Sequence, residues 1–158
     1  MMPRLMCCVV IGALMAALPG FAQPVSDTNM EILKEKLKAD KKLLVAGNME
    51  LTDAEAKQFW PIYDSYQKDL EAINKQLGQT IKDYAEAFNK GTIPNDTAKK
   101  LLNEALSVEE QEGRLKRSYA EKLGKVLPAT KVARYIQMET KIRSPIKFEM
   151  AQQIPLVY

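Results

Sequence analysis

Between Phe59 and Phe88 apolar side chains recur at steps of three and four residues without a break: Phe59, Tyr63, Tyr66, Leu70, Ile73, Leu77, Ile81, Tyr84, Phe88. A strand turns over every two residues and cannot hold such a series on one face. An α-helix can. The start of this helix is also written in the chain. Leu51-Thr52-Asp53-Ala54-Glu55 forms a capping box, in which the Thr52 hydroxyl accepts from the Glu55 N–H and the Glu55 carboxylate reaches back to the Thr52 N–H. Asp53 and Glu55 suit the positive end of the helix dipole. At 1.5 Å per residue the helix extends roughly 55 Å. Pro61 removes one of its hydrogen bonds, so a bend is expected near Lys57 and Pro61, with Trp60 beside it and one position off the seam.

The rest of the chain reads in the same alphabet. A first helix is predicted over 28–46, capped by Asp27 or Thr28 and ended by Gly47. It places Met30, Leu33, Leu37 and Leu44 on one face and lysines on the others, as an amphipathic helix laid on the domain or as a basic arm. Asn89-Lys90-Gly91 ends the long helix, Thr92-Ile93-Pro94 turns the chain, and Asn95 or Asp96 caps a third helix. The third seam is Leu101, Ala105, Val108, Leu115, Tyr119, Leu123, Val126. Glu112 falls on it beside Gly113, which marks a kink or an opening to solvent. Leu127-Pro128 interrupts the pattern, with Pro128 placed to be a first helical residue. A fourth helix over 129–143 turns Val132, Tyr135, Ile136 and Ile142 inward, and Ser144-Pro145 is expected to break it. The apolar stretch 146–158 is expected as a short helix followed by extended chain after Pro155, and reads as core, with a partner-binding element as the alternative. The fold class is therefore all-α: a long kinked antiparallel helical hairpin with flanking shorter helices. The short 91–94 connection makes the second and third helices antiparallel neighbours. Their apolar stripes need the other helices, or a second copy in a homodimer, to cover them.

The amino terminus has a different chemistry. Arg4 precedes an apolar run over 5–18, and Gly20-Phe21-Ala22 leads into polar sequence. That is the pattern of a secretion signal, with cleavage expected after Ala22. The run is shorter than the ~20 residues that span a bilayer. The expected organisation is a signal over 1–22 and a single helical domain over 23–158. Cys7 and Cys8 are the only cysteines and leave with the signal, and the chain has no histidine. Metal sites built on thiolate or imidazole and Ser-His-Asp or Cys-His nucleophiles are thereby excluded from the exported form. No glycine-rich phosphate loop and no EF-hand loop is present. Paired-carboxylate hydrolysis survives on composition alone, but the acids alternate with lysines at helical spacing, as on a solvated face. The expectation is a protein that is not an enzyme and uses no cofactor.

Charge is unevenly placed. Residues 50–112 carry seven basic and thirteen acidic side chains, whereas residues 113–147 carry ten basic and two acidic. In an antiparallel hairpin Arg114, Lys116, Arg117 and Lys122 come near Asp64, Asp69 and Glu71, so internal neutralisation is one reading. A basic surface that attracts acidic segments of other proteins is the other. No nucleic-acid motif is visible.

The capping box and the helical layout resemble the Spy/CpxP family of periplasmic helical proteins, whose motif is LTxxQ, usually present twice. Here Leu51-Thr52-Asp53-Ala54-Glu55 is similar to the first copy, with Glu55 in place of glutamine. Leu127-Pro128-Ala129-Thr130-Lys131 stands where a second would be and keeps only the leucine and the helix start. The resemblance implies a periplasmic, ATP-independent chaperone of envelope stress, or a dedicated regulatory partner of an envelope-stress sensor or other envelope complex. Partners are then unfolded or acidic client proteins, or one envelope sensor protein, with no nucleic acid. The metal-binding branch of that family uses histidine, which this chain lacks. The residues expected to face a partner are Trp60, Arg114, Lys116, Arg117 and Arg134.

Overall fold

In a computed structural model the chain is described over residues 27–157, apart from the side chains of residues 27–34. The expected secretion signal, and the side chains of Asp27, Thr28, Met30 and Leu33, lie outside the described residues. Four helices succeed one another: α1 Asp27–Met49, α2 Asp53–Asn89, α3 Asn95–Leu123 and α4 Ala129–Gln153. No strand occurs among the described residues, so the fold is all-α. The chain divides into two compact units, Met1–Lys38 and Ala39–Tyr158. In the first, the described residues are helical, and Lys38 pairs with Glu35 at 3.1 Å on the helix surface. The second holds the end of α1 and all of α2, α3 and α4, and with them the packed core.

Cross-helix contacts fix the directions within that second unit. Tyr66 meets Tyr119 with ring centroids 5.3 Å apart, and the Gln111 amide donates to Gln76 at 2.9 Å, so α2 and α3 run antiparallel. Gln67 meets Glu139, Asn74 meets Arg143 and Tyr84 meets Pro155, so α4 runs parallel to α2. Residues 39–49 of α1 run antiparallel to both, with Lys42 on Asp64 and Arg134 on the Asn48 carbonyl.

The local signals explain the bounds of α2. Both halves of the capping box form: Thr52 N–H donates to Glu55 Oε2 at 2.8 Å, and Glu55 N–H donates to Thr52 Oγ1 at 3.3 Å. α2 is continuous through Pro61, where the Ser65 hydroxyl donates to the Pro61 carbonyl at 2.9 Å. Gly91 has φ of 107°, a left-handed turn that glycine adopts without Cβ strain.

Several boundaries differ from those expected of the sequence. α1 passes Gly47 and stops at Glu50, which takes the left-handed φ of 48° itself. Pro94, not Asn95 or Asp96, occupies the cap position of α3, and Pro128 is the cap of α4 and not its first helical residue; neither supplies a side-chain cap. α4 does not end at Ser144-Pro145 but continues to Gln153. Its later half is held by tertiary contacts, which outweigh the one hydrogen bond Pro145 removes. Among the described side chains of α1 the buried ones are Val45 and Met49, while Leu44 is half exposed. Part-buried Lys41 continues the Val45-Met49 stripe, and its ammonium meets the buried Glu139 at 2.7 Å.

The core sits where α1 ends. Phe59, Tyr63, Tyr66 and Leu70 of α2, Tyr119 and Leu123 of α3, Tyr135 of α4, and Val45 and Met49 form one cluster with Leu127. Tyr135 is fully buried and stands edge-on to Phe59, Tyr63 and Tyr66 at 5.2, 6.0 and 5.9 Å. Such pairs add about 1 kcal/mol each beyond area burial.

Candidate functional site

From this core toward the Gly91 turn, packing along α2 changes character in three stages. The first is a polar ring under α1. Glu139, buried on α4, accepts from Lys41 at 2.7 Å and from the Gln67 amide at 2.9 Å. Gln67 accepts from Lys41 at 2.8 Å and donates to the Tyr135 hydroxyl at 3.3 Å. Burial and the neighbouring Glu139 charge push the Tyr135 phenol well above its ordinary range.

The second stage is a clamp. Glu112, the acid on the α3 seam, is neither a kink nor a solvent opening. It is buried and meets Lys116 at 3.0 Å, Arg143 at 2.8 Å and Lys147 at 3.0 Å. Arg143 also donates to Asn74 on α2 at 2.8 Å. Burial pushes the Glu112 carboxyl up, but the three cations outweigh it and bring the value down to about 2. The clamp ties α4 to α3 just before Pro145 and just after it.

The third stage is an apolar groove. Leu77, Ile81 and Tyr84 of α2 face Leu101, Leu102 and Ala105 of α3 across a cavity of about 300 Å³, and Met150, Ile154 and Val157 form its third side. A neighbouring cavity of about 350 Å³ shares Ile81, Tyr84, Met150 and Ile154 and continues to Phe88 and Pro155. Several of its lining side chains face water: Leu102 is 58% exposed, Val157 53% and Ile154 36%, and Leu106, one turn beyond Leu102 on α3, is about half exposed. An exposed apolar concentration of this kind marks a binding surface more often than a solvated one.

The five residues expected to face a partner do not gather there. Trp60 packs edge-on against Phe59 at 4.9 Å and Tyr63 at 5.3 Å, under the Lys42 ammonium at 5.1 Å. Arg134 pairs with Glu50 at 3.3 Å at the same end. Arg114 pairs with Glu110 at 3.2 Å on its own helix, and Lys116 belongs to the clamp. Arg117 is exposed on α3. Arg114, Lys116, Arg117 and Lys122 do not pair with Asp64, Asp69 and Glu71 as charge placement suggested, because other groups hold Arg114, Lys116, Asp64 and Asp69. Asp64 goes to Lys42, Asp69 accepts from the Tyr119 hydroxyl at 2.6 Å, and Lys122 lies over the Tyr119 ring at 4.0 Å.

The groove itself is readable from the sequence only in part. Leu77, Ile81 and Tyr84 belong to the α2 seam, but periodicity does not reveal whether a helix covers them. The adjacent Leu101-Leu102 and then Leu106 widen the α3 stripe beyond one seam, and that widening is the one local signal of the groove. Among the described residues no group of three or more histidine, cysteine or acidic side chains could hold a metal. No described helix is long and apolar enough to cross a membrane. No family model, curated protein or solved structure matches the chain.

Proposed function

We propose that this is an exported, non-enzymatic binding protein that holds apolar, extended segments of unfolded proteins, a chaperone-like activity needing no nucleotide. The observation that carries the reading is the groove between the distal halves of α2 and α3. Its walls are apolar and partly exposed, and its third side is completed by a non-helical stretch of this chain, through Ile154, Pro155 and Val157. A surface that accepts such a segment from its own chain accepts the same chemistry from another. The two buried carboxylates are ion-paired, Glu139 with Lys41 and Glu112 with Lys116, Arg143 and Lys147, which suits a structural role better than paired acid–base catalysis. Export is supported by the pattern over residues 1–22, and the Spy/CpxP-like capping box agrees with the chaperone reading. Exposed cations such as Arg117 add attraction for acidic clients.

The test is aggregation of a denatured model protein with and without stoichiometric amounts of the chain lacking residues 1–22, at low and high salt. Suppression is expected, and Leu102→Asp with Leu106→Asp should weaken it while helix content stays unchanged. Absence of suppression sinks the reading. A pull-down from envelope extract that returns one dominant partner would favour the dedicated regulator instead.

A further inference from the structure

We infer that residues 154–157 are a displaceable stand-in for the client, so that client and segment compete for one groove; this rests on the binding reading above. α4 ends at Ile154, whose backbone is extended at φ −87° and ψ 114°, and Ile154, Pro155 and Val157 line the groove. Its one side-chain hydrogen bond across the groove runs from the Tyr84 hydroxyl to the Pro155 carbonyl, at 2.8 Å. That bond reads main chain, so any extended segment can replace it. Proline at the contacted position presets the extended conformation and lowers the ordering cost of docking.

The segment fills its seat poorly. Ile154 is 36% exposed and Val157 53%, whereas Leu127 in the core is 6% exposed. The two adjoining cavities remain beside it, with room for larger side chains. The clamp at Glu112 sits upstream and holds Lys147, so letting go of the segment does not require α4 to leave. Tethering keeps the stand-in at high effective concentration, and an incoming segment must outcompete it. The favoured ligand is an extended stretch of about four residues with branched aliphatic side chains and an accessible carbonyl.

A dye-labelled peptide with the sequence of residues 152–157 serves as probe, followed by anisotropy against the full chain and against Ile154→Asp/Val157→Asp. Both replaced side chains already touch water, so the fold should tolerate the change, checked by circular dichroism. If the stand-in fills the groove about nine-tenths of the time, the variant binds the peptide about tenfold more tightly. In the unaltered chain, saturating peptide should also move the methyl resonances of Ile154, Leu156 and Val157 toward free-peptide positions. Equal affinities, or unmoved methyl resonances on saturation, overturn the inference. If aggregation suppression persists in that case, the binding reading stands without it. If neither chain binds peptide or denatured protein, both fail. A mass that rises with concentration and falls back in the variant would place the segment in a second copy's groove and overturn the intramolecular arrangement.

Discussion

Glu112→Gln removes one charge at nearly constant volume, so it reports on the clamp with little change in packing. The carboxyl falls from an ordinary 4.5 to about 2, although burial alone would raise it. At ~1.36 kcal/mol per unit, the three cations hold on the order of 3 kcal/mol of charge-dependent stability as an upper bound. Lys147 is 47% exposed and therefore screened, which brings the expected net loss to about 2 kcal/mol. Urea unfolding followed by circular dichroism measures it. The folded carboxylate binds its proton more weakly than the unfolded one. Its stabilisation is thus complete above about pH 4.5 and fades as pH falls toward 2. The parent chain should exceed the variant by about 2 kcal/mol at pH 7, with the gap closing across that window. Other carboxylates are common to both chains and cancel. A gap that stays constant from pH 7 to pH 2 would refute the electrostatic account.

Three further outcomes are expected. Lys41→Met strands the buried Glu139 and should cost roughly 3–5 kcal/mol, while adding Glu139→Leu should recover most of it; a double variant no better than the single would disprove the pairing. Gly113→Ala should stabilise by about 0.5–1 kcal/mol, because an added Cβ meets nothing within 4 Å in a continuous helix, and denaturation midpoints decide it. Burial raises the phenols of Tyr63, Tyr66 and Tyr135 and pushes Tyr119 up to about 12, so their contribution is complete below pH 10 and is lost as pH rises through the raised values. Phenolate absorbance should then appear together with loss of helical signal; smooth tyrosine titration near pH 10 with helices intact would contradict it.

The all-α fold is legible in the sequence because α2 repeats one kind of side chain on one face for much of its length. Phe59, Tyr63, Tyr66, Leu70 and Ile73 are buried as that spacing requires. Polar members of the seams are not legible. Lys41, Glu112 and Glu139 occupy core-facing positions because each is neutralised from another helix, and no local pattern announces a partner so far along the chain. Pro145 misleads for a related reason: local propensity argues for a break, and contacts made by Lys147, Met150 and Ile154 override it. Of the basic residues singled out by charge placement, Arg114, Lys116 and Arg134 are paired at scattered points and Arg117 is exposed. The groove depends on where α4 stops covering α2 and α3, which is a property of packing and not of either seam.

Tyr135 sets an order of events. It is the residue that closes the aromatic cluster, touching Phe59, Tyr63 and Tyr66, and it lies on α4. Until it arrives, a nascent α2–α3 hairpin holds three aromatic rings with one side open to water. Contacts of such long sequence separation form late, after loop closure has been overcome. Chains stopped before Tyr135 should therefore be digested by protease far faster than chains extended past Glu139. A polypeptide that cannot finish its core until its fourth helix has been made stays threadable until that helix arrives.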